Sequence, residues 1–217
     1  MLTETPYRIE DIDGATAGRY RSRMASLIDV PVKTRRWSRV EYDRLVDLGM
    51  FEGERLELLD GLLVVREPQK SPHATMVGQV GDVLRVAFGA GWHVRSQLPL
   101  ALDDDSEPEP DAAVVAGERR DYFNAHPSTA ALIVEVADSS LRLDRRFKSR
   151  LYARAGLPEY WIVNIVDGVL EVHREPYREA DERDGWRYRS IEVLRPPATV
   201  IPLAAPHTRI AVADLLP

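Results

Sequence analysis

Apolar and polar positions alternate along the chain in a way that predicts a succession of short strands and helices. From Trp37 onward, Ser38 and Glu41 have capping-box spacing, and Tyr42, Leu45 and Val46 recur at helical intervals until Gly49. Arg55–Leu59 and Leu62–Val65 read as two strands joined at Asp60-Gly61, a dipeptide that favours a tight hairpin turn. Ser71-Pro72 suits a helix entry, and Met76, Val77, Val80, Val83 and Leu84 continue a helical stripe toward Gly89. Strands are expected at Trp92–Leu102, Asp111–Val115 and Ala131–Ala137. An acidic, proline-broken stretch, Asp103–Pro110, separates the first two. A helix from about Leu141 to Ala155 stops at Gly156, with Pro158 just beyond. Tyr160–Val166 and Val169–His173 form a second hairpin around Asp167-Gly168. Trp186–Leu194 adds a strand, and Ile210–Leu216 closes the chain. Helices and strands mix without strict alternation, so the pattern predicts a mixed α/β or α+β fold rather than a doubly wound sheet.

Residues 1–36 show no clean periodicity and read as an N-terminal extension, partly helical around Arg19–Ile28. Residues 37–176 hold the core, and 177–217 are expected to pack on it as strands and tail. A chain of 217 residues is long enough for one well-buried core. With 44% hydrophobic and 29% charged residues, a disordered, collagen-like or disulfide-stapled chain is excluded. No run of about 18 apolar residues is present, so no membrane span is expected. No basic start followed by an apolar stretch opens the chain, and no cysteine occurs. A cytoplasmic location is therefore expected, and thiol nucleophiles, zinc–thiolate sites and iron–sulfur clusters are ruled out.

Charge changes the picture. The formal net charge of −6 argues against coating nucleic acid by bulk attraction, yet a metal-dependent site must itself be acidic. Three acids stand against the apolar pattern. Glu135 interrupts Ala131-Leu-Ile-Val-Glu-Val-Ala137, a segment apolar on both faces. There it is either a costly buried carboxylate that needs a cation, or the outward residue of a half-exposed strand. Asp111 follows Pro110 and either opens a strand with a rigid entry or ends a solvated acidic loop. That loop lacks the glycine and glutamate spacing of a calcium loop. Glu57 takes the opposite parity to Leu56 and Leu58, as in an ordinary half-exposed strand.

Only Lys33, Lys70 and Lys148 are lysines among 29 basic residues. At about 100° per residue, Asp144, Lys148, Leu151 and Ala155 share one side of the predicted helix. Lys148 therefore either pairs with Asp144 one turn away or aims its ammonium at the strand ends carrying Asp111 and Glu135. Arg142, Arg146, Arg150 and Arg154 form a second stripe, either solvated or facing a polyanion. No G-x-S-x-G elbow, phosphate-binding glycine loop or H-E-x-x-H motif occurs. His73, His93, His126, His173 and His207 show no metal-ligand spacing, and His73 reads as a helix-start surface residue.

Arg55-Leu-Glu57-Leu-Leu-Asp60-Gly61, Ser71-Pro-His73, Gln97-Leu-Pro99, Glu109-Pro110-Asp111 and Val134-Glu135-Val136-Ala-Asp138-Ser139-Ser140 follow in that order. Asp144-Arg-Arg-Phe-Lys148-Ser-Arg-Leu151-Tyr152-Ala-Arg-Ala-Gly156-Leu-Pro158-Glu159-Tyr160-Trp161 completes the series. From about Trp37 to Pro176 the chain resembles the Uma-two family of restriction-endonuclease-like proteins, within the PD-(D/E)xK nuclease superfamily. The resemblance implies a restriction-endonuclease-like core: a central mixed sheet flanked by helices, with additional hairpins. It also implies that Asp111, Glu135 and the Val136 carbonyl bind Mg²⁺ (or Mn²⁺). The superfamily lysine normally stands two residues after the second acid, where this chain has Ala137; the family pattern moves it to Lys148. Glu57 corresponds to an additional acid, and Gln97, Asp144 and Tyr152 to supporting positions.

This constellation suits phosphodiester hydrolysis. A divalent cation on hard oxygen ligands activates water and draws charge from phosphate oxygens. Lys148 orients water or stabilises developing negative charge, and Glu57 completes the metal shell or helps activate the water. Arg142, Arg146 and Arg150 are candidates for phosphate contact. The expectation is a Mg²⁺-dependent DNA endonuclease without membrane association, in which a homodimer would serve cutting of two strands. The alternatives are an inactive nucleic-acid- or protein-binding regulatory protein on the same fold, and an RNA- or structure-specific nuclease.

Overall fold

The computed structural model describes residues 34–180 and 185–217, and the helix expected around Arg19–Ile28 lies outside them. The chain divides into two units, residues 1–35 and 36–217. The second opens with helix α1 (Arg39–Asp47). Its start is the expected capping box: the Glu41 carboxylate accepts the Ser38 amide at 3.1 Å, and the Ser38 side chain accepts the Glu41 amide.

Strands β1 (Leu56–Leu59) and β2 (Leu62–Val65) form the expected antiparallel hairpin. Asp60 and Gly61 both have positive φ, 50° and 72°, as a two-residue turn matched to strand twist requires. A Cβ on Gly61 would lie 2.6 Å from that of Arg36, so glycine is obligatory there. The Asp60 carboxylate receives Arg150 and Arg154, which ties the hairpin to a distant helix and holds Glu57 in place.

The centre is a six-stranded mixed sheet of order β3-β4-β5-β6-β7-β8. Its strands are β3 (Trp92–Arg95), β4 (Ala112–Ala116), β5 (Leu132–Ala137), β6 (Glu159–Asn164), β7 (Val169–Arg178) and β8 (Trp186–Leu194). Only β5 and β6 run parallel, and such a pair requires a crossover. The segments Leu141–Leu143, Asp144–Lys148 and Ser149–Arg154 supply it as one helical stretch, α3. Helix α2 (Ser71–Phe88) and the C-terminal Val212 and Leu215 pack on one face, against Val114, Val134, Trp161 and Leu170. Leu151, Tyr152 and Ala153 of α3 pack on the other, against Ala113, Ile133, Tyr160 and Ile162. Each buried aliphatic residue in this double layer stabilises the fold by roughly 1.5–3 kcal/mol. With both faces covered, all six residues of β5 are buried, Glu135 included.

Two elements depart from the expected pattern. The strand expected over Trp92–Leu102 stops at Arg95, because Gln97 adopts φ 52° and its amide donates to the Pro110 and Asp111 carbonyls. The helix expected as regular from Leu141 contains a π-helical turn over Asp144–Lys148, in which the Ser149 amide donates to the Asp144 carbonyl five residues back. The wider turn brings both Asp144 and Lys148 inside. It also splits the arginine stripe: Arg142 and Arg146 are exposed, whereas Arg150 and Arg154 turn toward the hairpin. Among the described residues no helix is long and apolar enough to cross a membrane.

Candidate active site

Strand register brings the two strand acids together. The pairing of Ala112 with Val134, continued by one step, sets Asp111 opposite Glu135. Facing residues of an antiparallel pair share a side of the sheet, and this is the side on which α3 packs. The Asp111 amide approaches Glu135 Oε2 at 3.4 Å, and the Val136 amide donates to Asp111 Oδ2 at 2.9 Å. Gln97 donates from Nε2 to Asp111 Oδ1 at 3.1 Å.

Lys148 and Tyr152 lie four residues apart on α3 and converge on one oxygen. Lys148 Nζ donates to Glu135 Oε1 at 2.9 Å, and the Tyr152 hydroxyl does so at 2.7 Å. Lys148 also lies 3.3 Å from Glu57 Oε2. Glu57, expected to be half exposed, is instead 2% exposed because the hairpin packs, through Leu59 and Val64, on the face of the sheet that α3 covers. Its Oε1 is buried without a hydrogen bond, Arg66 Nε standing 3.3 Å away outside bonding geometry. Asp144 accepts the Ser140 hydroxyl at 2.6 Å and shares the wall. These acids and Lys148 line a cavity of about 550 Å³.

Sequence reasoning left two basic residues of this cavity without a role. Arg66, just past β2, pairs with Glu109 at 2.9 Å and approaches Asp111 at 3.5 Å. His73, in the first turn of α2, places Nε2 3.2 Å from Asp111 Oδ2. Ser71-Pro-His73 carried a signal, since proline fixes the helix entry and thereby the histidine's position, but its target is set only by tertiary packing. Of the arginines considered for phosphate contact, Arg150 is committed to Asp60 at 3.0 Å, while Arg142 and Arg146 are solvent-facing.

Burial dominates the electrostatics, and neighbours decide the outcome. It pushes Glu135 up, to about 8, with Lys148 pulling the other way. Burial would lower Lys148, but Glu135, Glu57 and Asp144 overcome it and hold the ammonium well above its ordinary range. Three donors on Glu135 favour its carboxylate, so the geometry describes an ion pair. Burial raises Asp144 to about 6. At Asp111 burial is outweighed by hydrogen bonds from His73 and Val136, and the carboxyl is lowered.

Two facing carboxylates, with a third acid carrying an unsatisfied oxygen, fit a hard divalent cation. Among the described residues no three acids or histidines converge into a complete metal shell. That arrangement suits Mg²⁺, which commonly takes one or two carboxylates and fills the rest with water and substrate phosphate.

Comparisons with known proteins agree with this architecture. A crystal structure of a "putative nuclease belonging to DUF820" from Anabaena variabilis ATCC 29413 is similar, with a TM-score of 0.56 at 14% identity. The similarity covers 74% of this chain and 88% of that one, and shows a shared fold. No curated protein matches the sequence. The family described as "Putative restriction endonuclease" matches residues 39–213. The mixed sheet, its helices and this match lead to one conclusion: the chain belongs to the Uma2 family of restriction-endonuclease-like proteins.

Proposed function

We propose that the protein is a divalent-metal-dependent endonuclease that hydrolyses DNA phosphodiester bonds. The observation that carries this reading is the apposition of buried Asp111 and Glu135 beneath Lys148 at the wall of a cavity. Asp111, Glu135 and the Val136 carbonyl would hold Mg²⁺. Bound there, the ion supplies Lewis acidity to a phosphate oxygen and lowers the pKa of water.

The chain's own residues supply the rest. Lys148 remains an ammonium, so it acts by donation, orienting the attacking water or stabilising charge on the phosphate. Glu57 Oε1 is a buried acceptor without a hydrogen bond, able to receive the proton of that water. Gln97 and Tyr152 fix the two acids through one hydrogen bond each. Cytoplasmic action and a dimer that cuts both strands belong to the same proposal.

The test is cleavage of plasmid DNA, duplex oligonucleotides and RNA with Mg²⁺ or Mn²⁺. Wild type is compared with Asp111→Ala, Glu135→Ala and Lys148→Ala. Metal-dependent DNA cleavage abolished by each substitution supports the reading. Cleavage indifferent to all three sinks it, and cleavage confined to RNA replaces DNA as the substrate.

A further inference from the structure

His73 occupies an unusual position for a residue at a helix start. Its Nε2 lies 3.2 Å from Asp111 Oδ2, an oxygen that also accepts the Val136 amide at 2.9 Å. The imidazole therefore sits against a carboxylate oxygen of the residue that the proposed function assigns to a metal ion. With the Val136 amide on one lone pair of Oδ2 and the imidazole on the other, a metal ion binding that oxygen has to displace the ring.

The rest of the ring is loosely held. Nδ1 is buried and finds no hydrogen-bond partner among the described residues, so only Nε2 anchors the ring. The side chain retains 16% of its exposure and faces the cavity, which has room for it to turn away. It extends from the first turn of α2, beside exposed Lys70 and Ser71 and ahead of the buried stripe that begins at Met76. Swinging it out breaks the Nε2 contact and leaves the core packing intact.

We propose that His73 is a displaceable placeholder for the divalent cation, its Nε2–H holding Asp111 Oδ2 in position until a metal ion takes its place. This inference rests on the metal-dependent reading above. It predicts that the histidine competes with the ion, whereas a histidine ligand would assist it.

Calorimetric titration with Mn²⁺ alone, without nucleic acid, separates these cases. His73→Ala is expected to bind Mn²⁺ about tenfold more tightly, since the Nε2–Oδ2 contact no longer has to break. His73→Ser serves if the alanine variant fails to fold. In wild type, Mg²⁺ saturation should shift the imidazole NMR signals of His73 and leave those of His173 in place. Unchanged or weaker Mn²⁺ binding by both folded variants, with wild type binding, overturns the placeholder and leaves the metal reading standing. Binding by His73→Ala where wild type shows none supports it. Asp111→Asn is the reference for the metal reading: binding equal to wild type there, or none by wild type and both His73 variants, removes that reading and the placeholder with it.

Discussion

Glu135 and Glu171 stand in one row across the central sheet, both paired in register with Ile162 and both 3% exposed. Their surroundings differ. Glu171 receives Arg145 through both carboxylate oxygens, at 2.6–3.1 Å, and Asn164 approaches at 3.4 Å. Glu159, on the neighbouring strand, is satisfied in the same way by Arg174, Trp161 and the Leu203 amide. Glu135 instead shares a single lysine with Glu57, which keeps one oxygen unsatisfied, and it faces a third acid. A buried carboxylate with its own arginine is part of the scaffold. A group of carboxylates with too few cations, open to a cavity, is arranged to receive one.

The strongest way to break that contrast is to remove the cation on each side. Lys148→Met strands Glu135 and leaves Glu57 to Arg66 alone, and Arg174→Met strands Glu159. Each is expected to cost roughly 3–5 kcal/mol in urea unfolding, because an unpaired charge stays buried. The two should separate on adding Mg²⁺. Stability returns in part to Lys148→Met, where carboxylates line a cavity, and not to Arg174→Met, where the remaining donors leave no opening. Recovery in both or in neither dissolves the distinction.

The two glutamates were equally readable, or equally unreadable, from local pattern. Leu-Ile-Val-Glu-Val-Ala and Val-Leu-Glu-Val-His each place one acid in an apolar strand. Nothing in either window says that an arginine from the π-helical turn will reach one and a lysine from the same turn the other. Hairpins, caps and the helix carrying Lys148 were legible because turn residues and periodicity act locally, as at Ser38, Asp60-Gly61 and Gly156. The strand acids came from the resemblance, which preserves spacing across the whole core. The π turn and the grip of Arg66 and His73 on the acids were not legible, since they depend on contacts between segments far apart in the chain.

A smaller effect tests the scaffold side through pH. Burial would raise Glu171, but His173, 3.8 Å away, and the hydrogen bonds from Arg145 outweigh it and hold the carboxyl down at about 2. A folded pKa below the unfolded value means that its stabilisation is complete above about 4.5 and lost as pH falls toward 2. Because Arg145 is 45% exposed, solvent screening reduces the contribution to roughly 1–2 kcal/mol at neutral pH. Glu171→Gln should therefore be less stable than wild type at pH 7 and converge with it near pH 2. A difference that persists through this window would mean that packing, and not charge, sets the role of Glu171.

The finest test concerns how the site holds its first acid. Gln97 has φ 52°, a conformation that costs a non-glycine residue on the order of 1 kcal/mol, while its Nε2 holds Asp111 Oδ1. Gln97→Gly releases the strain and loses the hydrogen bond, so these nearly cancel and the midpoint of unfolding should shift by less than about 1 kcal/mol. Gln97→Ala keeps the strain, loses the bond and should be the less stable of the two. Both remove the hydrogen bond on Asp111 Oδ1, so under the proposed function both should slow DNA cleavage by a similar factor. If glycine restores cleavage that alanine loses, the turn matters for its backbone shape; if both are equally slow, the amide is what aims Asp111.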